Sequence, residues 1–269
     1  MINFKLKKIE DVRPSGSGEN ARMSWFWLTD ADLWLSFKGT NIYEYTKEAL
    51  EYFGDKPSPY NHYPLVRFIE DFTHIFIEIN ESIPEELYKL TKDLSTFKKD
   101  AQKWLDIYET DENEYSDFYF EEYDNLISWT YKRTFDSGHL IGGPHLSFYR
   151  NDNKIRIVWD VSHKLDNGVD LWTAKDGFVE LDFPDFIEMV KDFGIRFFKE
   201  MDKQVELAVQ KDWKTVQIDK KRLLEEHKER EEEFKNQLSL LKQEMNNKTD
   251  WSLVTDLYSR MKNEIKTKA

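Results

Sequence analysis

The chain has 269 residues, a net charge of −13 at neutral pH and no cysteine. Without cysteine there is no disulfide, thiolate nucleophile or sulfur-ligated zinc site, and the acidity disfavours binding to nucleic acid phosphates. Aromatic residues make up 15% of the chain, enough for a folded core. The opening residues 1–8 lack the apolar run of a signal peptide, and no apolar stretch is long enough for a bilayer, so we expect a cytoplasmic protein without membrane contact.

Residues 1–45 have the pattern of antiparallel strands. Apolar and polar side chains alternate over residues 2–6, as in a half-buried strand. Two apolar runs at residues 24–28 and 33–37 flank the polar residues 29–32. This arrangement predicts a β-hairpin.

Helical spacing of apolar residues begins at about residue 46 and continues to residue 133. Pro64 suits the first position of one of these helices. Strand patterns return over residues 145–181, and a helix follows from residue 184 to residue 211. We expect the strands of 1–45 and 145–181 to form one antiparallel sheet covered by the helices.

The C-terminal part has a different character. Eight acidic and seven basic residues between 219 and 245 surround a narrow apolar seam, and a second amphipathic helix follows a polar break. This predicts an αα-hairpin. The predicted fold is therefore α+β, with an antiparallel sheet flanked by helices in a domain of residues 1–218, a helical insertion at about 46–133, and a C-terminal helical hairpin at 219–269. The hairpin would pack on the domain or pair with another chain in a homodimer.

Several short segments resemble an uncharacterised bacterial family, the domain-of-unknown-function family 5984, over most of the chain. The resemblance is carried by residues 25–30 with Leu33 and Trp34, 63–67 with Glu70 and Asp71, 143–145, 148–150, Val158, Trp159, Trp172, Thr173, Gly177, Met201, Val205, Glu226, His227 and Arg230. It implies no defined function and no catalytic residue. By analogy, related uncharacterised proteins look like immunity proteins of bacterial toxin systems.

The segment between Trp104 and Tyr131 holds nine acidic and nine aromatic residues and no lysine or arginine. Negative charge attracts a basic protein, and aromatic rings supply contacts at the centre of an interface. The pattern favours an immunity-type antagonist that neutralises a basic toxin or nuclease by binding it. The alternative is a solvated segment whose rings pack inward. The predicted contact residues are Asp106, Glu109, Asp111, Glu112, Glu114, Tyr115, Asp117 and Tyr119.

A second hypothesis is an enzyme or small-ligand site formed by His139, His145, Asp160 and His163. These residue types bind metals, but no standard ligand spacing is present, so we expect neither a metal nor another cofactor. The chain has no phosphate-binding loop, dinucleotide fingerprint or nucleophile elbow, and no catalytic residue is assigned. A third hypothesis is a scaffold that acts through the helical hairpin.

The tryptophans Trp25, Trp27 and Trp34 lie in the apolar runs of the predicted hairpin. They could form a stacking platform for a sugar or a base. Packing between sheet and helices is the alternative, because strand faces need bulky side chains. If residues 24–28 form a strand, Trp25 and Trp27 share one face.

Overall fold

The computed structural model describes residues 1–54, 58–109, 116–135, 142–244 and 248–268. A short 3-10 helix, Gly18–Asn20, lies before the second strand. The strands are β1 (Ile2–Leu6), β2 (Arg22–Met23), β3 (Asp30–Phe37), β4 (Thr40–Ile42), β5 (Asn61–Pro64), β6 (Thr134–Phe135), β7 (His145–Asn151), β8 (Lys154–Asp160), β9 (Gly177–Asp182) and β10 (Gln217–Ile218). The helices are α1 (Trp25–Leu28), α2 (Lys47–Phe53), α3 (Leu65–His74), α4 (Phe76–Asn80), α5 (Glu85–Leu90), α6 (Leu94–Tyr108), α7 (Ser116–Tyr131), α8 (Phe183–Gln210), α9 (Lys220–Leu240) and α10 (Trp251–Lys268).

The predicted α+β class with antiparallel strands is confirmed, but the strands form two main sheets instead of one. In the first sheet, β3 pairs with β1, β4 and β5. The second sheet has the order β6-β7-β8-β9. The helix α3 contacts β3 and β5 of the first sheet and packs against the second sheet through Phe68 on Phe135 and Phe72 on Phe148. Among the described residues, no strand of one sheet pairs with a strand of the other, but Phe37 of β3 stacks on Trp159 of β8 and an isolated β-bridge joins Tyr45 to Trp172.

The predicted hairpin of residues 24–37 is wrong in its first half, because residues 25–28 form the helix α1. In helical geometry Trp25 and Leu28 point to the same side, and both are buried. Trp27 therefore does not share a strand face with Trp25. The helix is favoured by a long-range contact, since Trp25 Nε1 donates a hydrogen bond to Nδ1 of His227 at 3.1 Å. A run of four apolar residues gives no periodicity that would have distinguished helix from strand.

Two hydrophobic cores lie on the two faces of the second sheet. The first core contains the first sheet, the inward residues of β7 and β8 such as Phe148 and Ile157, and side chains from α3, α8 and α9. The second core contains Tyr149 on the opposite face and side chains from α5, α6, α7 and α10. Because strand side chains alternate between faces, β7 and β8 contribute to both cores.

The two C-terminal helices pack on the rest of the chain, each on a different core. The helix α9 contacts α8, α3 and α4 and buries Leu223 and Phe234 in the first core. The helix α10 contacts α6 and α7 and buries Trp251 and Met261 in the second core. The domain boundary at residue 218 remains a prediction.

Within the described residues, no helix combines the length and apolar character that a membrane crossing requires.

Candidate functional site

A groove of about 960 Å³ lies between α6, α7 and the outer face of the second sheet. Its floor is one cross-strand row, in which Thr134, Ser147, Val158 and Phe178 are successive register partners. The hydroxyl oxygens of Thr134 and Ser147 lie 2.8 Å apart, so the floor is polar at the β6 end. Phe178 is 44% exposed, which leaves an aromatic ring at the other end. We call this cavity the sheet groove.

The sheet groove exists because the helices cover only part of the sheet. The adjacent row, Tyr149, Arg156 and Glu180, is closed by α5. There the Arg156 guanidinium donates to the carbonyl oxygen of Tyr88 at 2.6 Å and to Glu180 at 2.8 Å. Both Tyr149 and Arg156 are buried. The neighbouring row with Ser147, Val158 and Phe178 has no such cover and forms the floor of the sheet groove.

Lys98 on α6 is the central charged side chain of the groove wall. Its ammonium group lies 4.2 Å from the ring centroid of Tyr131, which is 54% exposed at the end of α7. Burial lowers the pKa of the Lys98 ammonium group, and the negative charge of Asp160 opposes this shift. The groove therefore offers a cation, exposed rings and two hydroxyl groups to a polar ligand.

The structure brings two of the residues predicted for a ligand site together at the mouth of the sheet groove. His145 and Asp160 are direct cross-strand partners of β7 and β8, and both line the cavity. The Asp160 carboxylate also accepts hydrogen bonds from the backbone amide and the hydroxyl of Ser162, at 3.2 and 2.8 Å. His139 lies outside the described residues.

His163 does not line the sheet groove and instead packs against the loop before β7. A Cβ atom at Gly142 would lie only 2.2 Å from the His163 ring. The Trp172 indole fixes the same loop through a 2.9 Å hydrogen bond to the Gly142 carbonyl oxygen. In the described part of the chain, no group of three or more histidine or carboxylate side chains has an arrangement that could hold a metal ion.

The second candidate region is the acidic surface, which we define by the exposed side chains of Asp106, Glu109, Phe118, Phe120, Glu121 and Asp124 on α6 and α7. Gln102 joins its two helices, because its amide nitrogen donates to Asp106 at 2.8 Å and its amide oxygen accepts from Tyr123 at 3.1 Å. The other predicted contacts Asp111, Glu112, Glu114 and Tyr115 lie outside the described residues, as does the side chain of Asp117.

Tyr119, one of the predicted partner contacts, packs within the protein, as the alternative interpretation of this segment expected. Its ring stacks on Tyr108 with 4.7 Å between the centroids and meets Trp104 edge-on. Arg260 of α10 lies over the same ring and pairs with Glu122 at 2.6 Å. The rings that reach solvent are Phe118 and Phe120, which are 46% and 49% exposed.

Sequence reasoning missed Lys98, Tyr131 and the hydroxyl pair of the sheet groove. The alternation of β7 and β8 was visible in the sequence, but the pairing of Ser147 with Val158 depends on a turn and a register that a pattern leaves open. Lys98 looked like an ordinary solvated position of an amphipathic helix.

The family model of a family of unknown function, DUF5984, matches residues 1–257. This match extends from β1 into α10 and includes both candidate regions. No curated protein and no solved structure matches the chain.

Proposed function

We propose that this chain, which belongs to the family of unknown function DUF5984, is an acidic binding protein whose acidic surface holds a basic protein partner. The observation that carries the proposal is the combination of exposed rings with carboxylates that have no cationic partner. Among the described residues, none of Asp106, Glu109, Glu121 and Asp124 forms an ion pair, whereas Glu122 in the same segment pairs with Arg260.

These carboxylates carry like charges, and among the described residues no ion pair compensates them. The lysine and arginine side chains of a partner would relieve this repulsion and accelerate the encounter at low salt. Phe118 and Phe120 supply apolar contact area, which then determines how long the complex lasts. The surface thus has separate groups for association and for retention.

The partner class that fits this chemistry is a basic toxin or nuclease. An enzyme that acts on nucleic acid needs a basic surface to hold phosphates, and an acidic protein that covers this surface blocks the substrate. In this role the chain is an immunity-type antagonist that acts by occupying the partner's surface.

The test begins with the partner captured from the native host and then measures binding with the two purified proteins. Changing Asp106, Glu109, Glu121 and Asp124 to their amides should lower the association rate about tenfold at low salt and flatten its salt dependence. Phe118→Ala with Phe120→Ala should raise the dissociation rate about tenfold or more. Because all these side chains are exposed, the melting temperature should hold or rise slightly in the amide variant.

The matched control neutralises four exposed acidic residues that belong to the first sheet region and α2, namely Glu10, Asp11, Glu48 and Glu51. This variant has the same net charge as the test variant, so it isolates position from total charge. Equal association rates for the two variants would show that the acidic surface has no special role, and the proposal would fail.

A second candidate function is the binding of a small polar ligand in the sheet groove. It is favoured by the position of His145 and Asp160 at the mouth of this cavity and of Lys98 in its wall. A thermal-shift screen of small polar metabolites should then find stabilising compounds whose effect disappears in Lys98→Met and Asp160→Asn. Compounds that stabilise the wild type and these variants equally would exclude the groove as their site.

A further inference from the structure

The helices α8 and α9 enclose a groove of about 520 Å³ on the first core, separate from both regions described above. Its floor consists of Gly194, Phe198, Phe234 and Leu238, with Ile195 beside them. Ile195 is 60% exposed, whereas Phe198 and Phe234 are almost fully buried. The groove therefore presents apolar side chains to solvent above a closed core. We call it the lysine groove.

The name refers to four lysines at its rim, two on α8 and two along or just beyond α9. Two acidic residues, Asp202 and Glu231, also line the groove, and they contact His227 and Lys235. Lys191 and Lys199 follow one another on α8, and Lys235 and Lys242 follow one another along and just beyond α9. Each pair spans about 10–12 Å along the helix direction, from a rise of about 1.5 Å per residue. The lysines thus form one row along each side of the apolar floor.

Two of these lysines form ion pairs and two do not, although the charge of Lys242 acts on the Glu188 carboxylate from a longer distance. Lys191 pairs with Glu188 at 2.8 Å, and Lys235 pairs with Glu231 at 2.5 Å. Among the described residues, no carboxylate forms an ion pair with Lys199 or Lys242. In a chain with a net charge of −13, two unpaired lysines beside an exposed isoleucine form a local exception.

We propose that the lysine groove binds an amphipathic helix of a partner protein, with apolar side chains on one face and acidic side chains along both flanks. A helix that lies between two helices places its apolar stripe on the floor and its flanking positions beside the two rims. Acidic flanks would pair with Lys199 on one side and Lys242 on the other. The charge pattern thus specifies the occupant.

A second copy of this chain is a poorer occupant. A two-fold axis through the groove brings the same surface of both copies together, so each row of lysines would face a lysine row. Like charges across an interface oppose binding. A partner with acidic flanks meets four lysines, which outnumber Asp202 and Glu231, the two acidic residues of the lining.

The probe for the test is a labelled synthetic helix with leucine and isoleucine at i, i+3, i+4 and i+7 and with glutamate on both flanks. A second peptide keeps the apolar stripe but has lysine on the flanks. Binding to the full chain is measured by fluorescence anisotropy at low and high salt. We expect the glutamate peptide to bind at least about tenfold more tightly than the lysine peptide, and the difference to shrink at high salt.

Substitutions in the exposed rim then locate the site. Ile195→Glu should weaken binding of the glutamate peptide about tenfold or more, because it removes the apolar contact and adds repulsion. Lys199→Glu with Lys242→Glu should weaken it to a similar degree and remove the salt dependence. The controls are Leu207→Glu and Lys203→Glu, which change exposed residues of the same helix outside the groove and should leave affinity unchanged.

Several results would overturn the proposal. They are equal binding of the two peptides, no binding of the glutamate peptide, and an affinity that Ile195→Glu leaves unchanged. A dimer in sedimentation that Ile195→Glu dissociates would assign the groove to a second copy instead. The amide variant of the acidic surface should bind the glutamate peptide normally, so failure of the proposed function and failure of this inference are distinguishable.

Discussion

The acidic surface and the lysine groove are both helical surfaces with exposed apolar side chains, yet they differ in charge and in the core beneath them. The acidic surface lies on α6 and α7 over the second core, and among the described residues its acidic side chains Asp106, Glu109, Glu121 and Asp124 form no ion pair. The lysine groove lies on α8 and α9 over the first core, and four lysines surround its floor.

This difference shows that the net charge of a chain does not predict the charge of an individual surface on it. The value of −13 suggests a single preference for basic partners. Under our two proposals, the acidic surface would favour a basic partner and the lysine groove an acidic one. Since the second sheet lies between the two cores, the two proposed partners would bind at different places.

The largest effect is expected from removal of the two C-terminal helices, which support both surfaces. Truncation after Gln217 deletes α9, which forms one wall of the lysine groove, and α10, which packs behind α7. It exposes both cores, because Leu223, Phe234, Trp251 and Met261 are lost. We expect an aggregated or unfolded product in circular dichroism and thermal melting.

A shorter truncation, after Glu244, separates the two surfaces. It keeps α9, whose end is held by hydrogen bonds from Asn80 to the carbonyl oxygens of Leu240 and Gln243 at 2.7 and 2.8 Å. We expect this product to lose protection from hydrogen exchange in α6 and α7 and to retain it in α8. Protection in α6 and α7 that survives this truncation would contradict the prediction. For the longer truncation, a soluble, cooperatively melting fragment of residues 1–217 would show instead that both C-terminal helices are dispensable.

The next largest effect concerns the buried ion pair of Arg133 and Glu81, which joins the chain just after α7 to the chain just after α4. Both side chains are buried, and the Glu81 carboxylate also accepts hydrogen bonds from the backbone amides of Lys248 and Thr249 at 2.7 and 2.8 Å. Arg133→Met leaves this carboxylate without its cation and should cost about 3–5 kcal/mol of unfolding free energy. The control Lys154→Met breaks the exposed Lys154–Asp182 pair and should change the unfolding free energy little. A urea titration measures the unfolding free energy of both variants.

The same ion pair predicts a pH dependence. Burial alone would raise the pKa of the Glu81 carboxyl, but hydrogen bonds from Thr249 and the Arg133 charge outweigh it and lower the pKa below its ordinary value. Ionised Glu81 therefore stabilises the fold above its unfolded-state pKa, and this contribution is lost as the pH falls through the lower folded-state value. Glu81→Gln should flatten the acid side of a plot of stability against pH. An unchanged slope would contradict the assignment.

The smallest effect is expected at Gly194, under the lysine groove. A Cβ atom there would lie 2.0 Å from the Phe234 ring, so Gly194→Ala forces the two helices or the ring to move. We expect a loss of about 2 kcal/mol in unfolding free energy, even though alanine favours helix by about 1 kcal/mol over glycine. In a Phe234→Leu background the same change should cost less, which a double-mutant cycle measures. Equal costs in both backgrounds would mean that the ring contact is not the cause.

The candidate regions were predictable from the sequence to different extents. The acidic surface follows from composition, because nine acidic residues between Trp104 and Tyr131 need no fold to be recognised. Its exposed rings were not predicted, since Tyr119, one of the predicted contacts, packs on Tyr108, while Phe118 and Phe120 reach solvent. Which side of a helix is buried depends on the elements that cover it.

The sequence by itself determined the α+β class, the absence of sulfur chemistry, the acidic segment and the position of most helices. These properties depend on composition and on the spacing of apolar residues within one element. The helix α1 was missed because four residues carry too little periodicity, and no pattern in the sequence shows that Gly194 of α8 lies against the Phe234 ring.

Only the tertiary structure decided which residues meet. The pairing of Arg133 with Glu81, the position of His145 opposite Asp160 away from His163, and the two rows of lysines all join residues that lie far apart in the chain or on separate elements. Local periodicity determines where an element lies and which side is apolar. Strand register and helix packing determine which polar side chains become neighbours, and they depend on the free energy of the whole core.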